Sequence, residues 1–334
     1  MSPAKVALGR RLFYDPRLSG NATQSCSSCH QQARAFTDGR AQAIGSTGQI
    51  HPRSAMSLAN VAFSATLTWT DPSVRSLERQ AAVPMRNRHP VEMGLTGHER
   101  EVLARIQRVP LYRELFREAF PGSRSPITFE HIQKAIASFE RTILSGDSAY
   151  DRFVWSDDRS TMSDSSRRGM ALFFSERLLC SRCHSGFTFS GPAVWQGGPR
   201  AAPGFADNGL AMHAAGRSLT RETPRKTESG LSRVPTLRNI AMTGPYMHDG
   251  RFASLGDVID HYARGGVSRS TRSPLVAGFS LTQQEKQDLV AFLESLTDAD
   301  FLADPRLSDP WQADDPSCPP GLPRTKAPKI RTKG

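Results

Sequence analysis

The chain has 334 residues, 38% of them hydrophobic, and a formal net charge of +11 at pH 7. At roughly 100–200 residues per domain this length suggests two domains, and no apolar run approaches the roughly 18 residues that cross a bilayer, so no membrane span is expected. The arginines are scattered and form no Lys/Arg block, which argues against nucleic acid. The basic excess reads either as a solvated face or as steering toward an acidic redox partner.

In chain order, Val6, Leu8, Leu12 and Phe13 predict a helix from Pro3 to Tyr14, stopped by Asp15-Pro16. Residues 37–57 lack periodicity and read as a loop. Thr96-Gly97-His98-Glu99 has the spacing of a capping box and predicts a helix to Arg108. A second helix is expected over Leu111 to Phe120. Ile132, Ala135, Ile136, Phe139 and Ile143 share one face of a helix expected over Ile127 to Leu144, with Gly146 as its stop. Residues 145–162 are polar and read as a domain boundary. Helices follow over Ser163 to Phe174, Ser254 to Ala263 and Leu281 to Leu296, the last opened by the Thr282/Glu285 box. Residues 185–232, rich in Gly, Pro, Ser and Arg, read as a long loop. Strand signals are weak. The expectation is an all-α fold of two cytochrome c-like haem domains with long irregular loops. Residues 1–158 form the first domain and 159–304 the second; a Pro-rich tail, 305–334, packs back on the first.

The haem expectation rests on Cys26-Ser27-Ser28-Cys29-His30 and Cys180-Ser181-Arg182-Cys183-His184. In this pattern two cysteine sulfurs bond the haem vinyl groups and the adjacent histidine ligates the iron. With 5 Cys and 9 His in 334 residues, chance gives on the order of 0.002 copies, and two are present. Zinc sites or a redox Cys-x-x-C are the rival readings, but no further ligands stand at zinc spacing. The fifth cysteine, Cys318, reads as a tail thiol or as one half of an intermolecular disulfide. Met1 is followed at once by Lys5-Val6-Ala7-Leu8-Gly9-Arg10 with no apolar leader. Because bacteria attach haem c outside the cytoplasm, a periplasmic mature chain is expected. From the residues alone, the second axial ligand is open among His51, His248, His261, Tyr262 and several methionines.

Further stretches narrow the choice. Leu8-Gly9-Arg10-Arg11-Leu12-Phe13-Tyr14, Ala35-Phe36-Thr37-Asp38-Gly39, Ser138-Phe139-Glu140-Arg141-Thr142, Val234-Pro235-Thr236-Leu237-Arg238-Asn239 and Gly244-Pro245-Tyr246-Met247-His248-Asp249-Gly250 resemble, in order, the bacterial di-haem cytochrome c peroxidase and MauG family. Gly45-Ser46-Thr47-Gly48, His51-Pro52-Arg53 and Leu67-Thr68-Trp69 are most similar to its MbnH branch.

The resemblance implies two covalent haem c groups. It implies an open, peroxide-binding iron at His30, with Glu92 as acid–base group, Gln80 orienting the peroxide and Pro84 crowding the distal face. His51 lies in the loop that caps this iron in the peroxidases, but its spacing differs and it is not expected to ligate. At the second haem the methionine of the peroxidases falls on Tyr262, a hard anionic ligand suited to high-valent iron. Trp69 is expected between the haems. Asn60, Thr243 and Pro245 match a calcium site, and Arg238 matches a haem propionate partner. The implied activity uses hydrogen peroxide to build a high-valent state shared by both haems, which oxidises tryptophan, toward kynurenine, in a partner such as an MbnP-like copper-binding protein. The alternative is a peroxidase fed by a small redox protein. A surface tryptophan used by MauG as the exit is replaced here by Leu178, leaving Trp155, Trp195 and Trp311 as other exits.

Overall fold

A computed structural model describes residues 1–156, 158–191, 193–195, 198, 204–210, 230–311 and 315–319. It is mainly helical. Helix α1 (Pro3–Phe13) starts at Ser2, whose hydroxyl accepts from the Lys5 amide, with Pro3 in the first turn where its missing N–H is harmless. Its buried stripe, Leu8, Gly9, Leu12 and Phe13, crosses α5 (Phe129–Glu140), which buries Ile132, Ala135, Ile136 and Phe139. The crossing is tight. A Cβ on Gly9 would stand 1.9 Å from the Ala135 carbonyl oxygen. Between these helices run α2 (Leu77–Arg86), α3 (Glu99–Gln107) and α4 (Pro110–Ala119).

The second half repeats the plan. After α6 (Ala149–Trp155), α7 (Asp164–Phe173) crosses α10 (Gln283–Glu294), and a Cβ on Gly169 would stand 1.8 Å from the Asp288 carbonyl oxygen. Gly9-Arg10-Arg11-Leu12-Phe13-Tyr14 and Gly169-Met170-Ala171-Leu172-Phe173-Phe174 are the same pattern, glycine at the crossing and Phe13 or Phe173 in the core. Each helix leads into one Cys-x-x-Cys-His motif, the second of which begins on the short helix α8 (Cys180–Cys183). Strands β1 (Phe205–Asp207) and β2 (Leu231–Arg233) form an antiparallel ribbon, pairing Phe205 with Arg233. Helices α9 (Leu255–Ala263) and α11 (Ala299–Ala303) complete the set.

Two apolar cores result. One gathers Leu8, Phe13, Phe36, Ile136 and Phe139 with Phe301, Leu307 and Trp311 from the end of the chain. The other gathers Phe173, Phe189, Leu289, Phe292 and Leu296. Full burial of each such side chain is worth about 1.5–3 kcal/mol. The Tyr14 hydroxyl donates to the Leu307 carbonyl (2.7 Å) and the Trp311 indole to the Arg11 carbonyl (3.2 Å), fixing the stretch from Leu307 to Trp311 on the first core. Cys318, half-buried and not in a disulfide, packs there too.

Between the cores lies a buried polar knot. Asn60 donates to the Ser145 carbonyl (2.7 Å) and accepts from its amide (3.0 Å). The Ser145 hydroxyl accepts from Asn239 (2.9 Å) and donates to Asp298 (3.1 Å). Asp298 also accepts from the amides of Gly146 and Asp147, and Asn239 accepts from the Asp298 amide. Low dielectric strengthens each bond and makes any unpaired member costly. This knot occupies the start of the polar stretch read as a boundary.

Several expected elements differ. Helices α2 and α6 were not expected. Helix α5 stops at Glu140, four residues early, because Thr142 turns its hydroxyl onto the Phe139 carbonyl and Asn60 takes the Ile143 carbonyl. Gly146 therefore caps nothing. Thr96 opens no helix: its hydroxyl bonds the Arg86 carbonyl and α3 starts after His98. The Thr282/Glu285 box forms as expected.

Candidate functional site

The two Cys-x-x-Cys-His motifs adopt one local geometry. In each, the histidine amide bonds the first cysteine's carbonyl, His30 to Cys26 at 3.0 Å and His184 to Cys180 at 2.9 Å. Each imidazole is then pinned through Nδ1: His30 to the Phe36 carbonyl and His184 to the Phe189 carbonyl, both at 2.9 Å. A carbonyl can only accept, so Nδ1 carries the proton and Nε2 keeps its lone pair, the form that binds a metal. Burial pulls both imidazoles below the ordinary histidine range, against the raising effect of those carbonyls. Both remain neutral ligands at pH 7.

All four motif cysteines are free thiols. Burial pushes Cys26 up strongly, Cys29 up to about 12 and Cys180 up to about 11. Among the described residues no three His, Cys, Asp or Glu side chains converge to hold a metal ion. Neutral, buried thiols without a third or fourth ligand do not make a zinc site, and they are not paired as a redox disulfide. The Cys180 and Cys183 thiols, which line a cavity beside a pinned histidine, fit thioether-bound haem.

The cavity is present at the second motif. It holds about 1770 Å³ not filled by protein, part of it open to solvent. Cys180, Cys183 and His184 line one part; Leu255, Val258, Ile259, Leu289 and Leu293 supply apolar wall. Tyr262 on α9 shares the same cavity. Burial pushes its phenol up to about 12, partly offset by a hydrogen bond from the Asn208 side chain. The neighbouring His261 turns away, bonding the Asn208 carbonyl at 2.9 Å. Of the open axial choices, His261 is thus engaged elsewhere, while Tyr262, His248 and Met247 line the cavity.

Trp69 also lines this cavity, although it comes from the first half. Its indole donates to the Ser54 carbonyl (2.9 Å) and its ring meets His248 edge-on at 6.4 Å. The Ser54 amide and hydroxyl in turn bond the His248 and Met247 carbonyls. Trp69 therefore sits in a seam stitched from both halves.

At the first motif, Gln80 and Pro84 stand one turn apart on α2, so they share a face. Pro84 has no N–H to give the Gln80 carbonyl. The segment carrying Glu92 is laid beside them by Met93 N–H bonding the Pro84 carbonyl at 2.9 Å. Asn87, just past the helix, donates to Glu92 Oε1 at 3.0 Å. Glu92 acts electrostatically on both Cys29 and His30. His51 Nε2 lies 4.0 Å from Glu92 Oε1 and its Nδ1 is engaged with Arg53, so its near neighbour is the carboxylate.

Two expected positions are engaged by the protein itself. Arg238 does not line the cavity. It is 1% exposed, paired with Asp151 and bonded to the Phe187 carbonyl at 2.8 Å, with its guanidinium over the Phe187 ring. Its charge is balanced by Asp151 within the protein. The residues expected at calcium are also engaged. Thr243 and Pro245 line the haem cavity, while the Asn60 carboxamide is committed at both ends to Ser145.

The cavity wall holds residues not foreseen, Asn208 beside the Tyr262 phenol and Arg233, together with His248, an open axial candidate whose Nδ1 is buried and unpartnered. Arg233 ends β2 just before the Val234-Pro235-Thr236 stretch, and both it and Ser232 are buried. Leu178 is buried against the cavity, whereas Trp155 is 77% and Trp195 58% exposed and Trp311 belongs to the first core.

Comparison with known proteins agrees with this geometry. A family profile described as di-haem cytochrome c peroxidase matches residues 3–159. The methylamine utilization protein MauG of Methylorubrum extorquens is 38% identical over 300 residues, 89% of this chain and 79% of that protein. Cytochrome c551 peroxidase of Nitrosomonas europaea is 32% identical over 87% of this chain and 79% of its own. The crystal structure of a MauG-like protein associated with microbial copper homeostasis superposes with a TM-score of 0.88 at 42% identity, covering 93% of this chain and 94% of that one. The chain belongs to the di-haem cytochrome c peroxidase and MauG family of haem-dependent oxidoreductases.

Proposed function

We propose that this protein uses hydrogen peroxide to withdraw electrons at long range from a partner protein, oxidising tryptophan there toward kynurenine. The observation that carries the reading is Tyr262, a phenol in place of a thioether, buried in the cavity it shares with His184. An anionic oxygen ligand disfavours the ferrous state that a turnover peroxidase needs and favours higher oxidation states. The haems supply the oxidising power once peroxide binds at the His30 side.

The chain's own residues have separable tasks. Glu92, held by Asn87, takes the proton from the bound oxygen of peroxide and returns it to the departing one. Gln80 orients the peroxide from α2, and Pro84 keeps that face free of a protein ligand because it has no donor atom. Trp69 bridges the seam, its indole fixed to Ser54. Trp155 and Trp195 are the exposed indoles through which a docked partner would be oxidised. The likeness to a MauG-like protein associated with copper homeostasis supports a small copper-binding protein as that partner. Among the described residues no helix is long and apolar enough to cross a membrane, and a periplasmic location suits haem c attachment.

The test is stoichiometric peroxide added to the diferric protein, with and without Tyr262→Met. A long-lived near-infrared charge-resonance band in the wild type, lost in the variant, is expected. A wild type without the band that instead turns over rapidly with a reduced small cytochrome would make it the peroxidase that several relatives are named for.

A further inference from the structure

Arg233 is a buried cation in want of an anion. It is 7% exposed and lines the cavity of the second haem motif. One terminal nitrogen donates to the Ser64 hydroxyl at 2.9 Å and the other lies 3.6 Å from the Met56 sulfur. Both partners are neutral. Among the described residues no carboxylate pairs with it, and burial alone pulls its guanidinium down to about 10. The contrast with its neighbours is sharp: Arg238 has Asp151, Arg251 has Asp249 and Arg269 has Asp207. A charge left unpaired in low dielectric costs several kcal/mol, and proteins keep such a group where a ligand completes it.

We propose that Arg233 is the counter-cation of a propionate of the haem held by Cys180, Cys183 and His184. The flat guanidinium, presenting two terminal nitrogens and carrying no competing acid, suits a carboxylate. An unpartnered polar atom of the same wall, His248 Nδ1, offers a further contact to an anion there. The location adds a consequence. The Arg233 amide donates to the Trp69 carbonyl at 2.9 Å, and Met56 and Ser64 belong to the first half. The propionate bond therefore ties the second haem to the strip of chain that carries Trp69 across the seam. This rests on haem attachment at Cys180–His184 and is independent of what the enzyme oxidises.

The experiment is spectroelectrochemistry of the di-haem protein and its R233Q variant, with covalent haem counted separately by the pyridine haemochrome assay. Removing the cation stabilises ferric iron. The low-spin haem of the second motif should then show about a tenfold rise in its ferric-to-ferrous ratio at fixed potential, a downward shift of about 59 mV for one electron. The His30 haem should hold its potential, and R233K should restore most of the shift. An unmoved second haem, or a shift confined to the His30 haem, overturns the assignment. Should R233Q fail to accumulate, R233K answers the same question through redox infrared difference spectra of protein with 13C-labelled propionates. A displaced carboxylate stretch supports the contact and an unchanged one refutes it.

Discussion

Asn60 separates a structural reading from a metal-binding one. Its carboxamide bonds the Ser145 amide (3.0 Å) and carbonyl (2.7 Å), and both groups are buried. Asn60→Ala leaves a backbone donor and a backbone acceptor without partners, at about 1–3 kcal/mol each. Asn60 also has φ 57°, a left-handed conformation that Asn tolerates and Ala resists by about 1–2 kcal/mol. The sum is about 4 kcal/mol after partial relaxation, a large share of the 5–15 kcal/mol typical of a folded protein. Asn60→Gly should recover about 1 kcal/mol of this, the backbone part. Asn60→Asp is the discriminating change. A carboxylate keeps the acceptor for the Ser145 amide but sets an oxygen against the Ser145 carbonyl, so stability should fall. A calcium ligand would instead bind more tightly with the added charge. Urea denaturation of the di-haem protein, in calcium and in chelator, measures both. Equal losses for Asn60→Ala in the two buffers are expected. A loss that vanishes in chelator, or an Asn60→Asp protein stabilised by calcium, would refute the argument.

Two further outcomes follow from packing and charge. Gly169→Ala must place a methyl 1.8 Å from the Asp288 carbonyl, so α7 and α10 must separate; a loss of about 3 kcal/mol or more in the same denaturation is expected, at the upper end of overpacking. Glu140 is buried, one of its oxygens has no partner, and burial, opposed by Arg141 and reinforced by Glu78, raises its carboxyl to about 8. Between its unfolded value of about 4.3 and about 8 the folded state holds the extra proton. Stability should therefore fall as pH rises through that window, by about 1.4 kcal/mol per pH unit from this one group. Glu140→Gln should remove that slope, read as the pH dependence of the urea midpoint; an unchanged slope would show the carboxyl to be charged.

The parts of the fold legible in the sequence were those fixed by local pattern. Apolar spacing located α1, α5, α7, α9 and α10, and the Thr282/Glu285 box opened the last of these as expected. Helix α2 was hidden because Pro84 interrupts its pattern, and α6 because its seven residues lie in a polar stretch. The site was legible where chemistry is written in consecutive residues, as in the two Cys-x-x-Cys-His motifs. It was illegible where tertiary pairing decides. Arg238 and Arg233 are five residues apart, and nothing in sequence says which one meets Asp151. Asn60 matched the family's calcium position by resemblance, and only the fold reveals that Ser145, far along the chain, bonds its carboxamide.

The Asn60 case also has a sequence echo. Leu58-Ala59-Asn60-Val61-Ala62 and Leu237-Arg238-Asn239-Ile240-Ala241 share one pattern. Each asparagine is left-handed, each starts a 3-10 turn, and each bonds Ser145. With the paired glycine crossings and the paired histidine-to-carbonyl bonds, this makes the two halves copies of one haem-holding scaffold. A scaffold that treats both histidines alike cannot by itself give the two haem centres the different roles that the proposed function requires. That difference must come from the parts without a counterpart. In the first half these are the Pro84 turn of α2 and the Glu92 segment laid against it, which offer acid–base groups but no protein ligand. In the second they are Tyr262 on α9, with Asn208 beside its phenol, and Arg233 on β2. Exchanging residues among these unduplicated parts, and not within the shared scaffold, is therefore what should convert one kind of haem centre into the other.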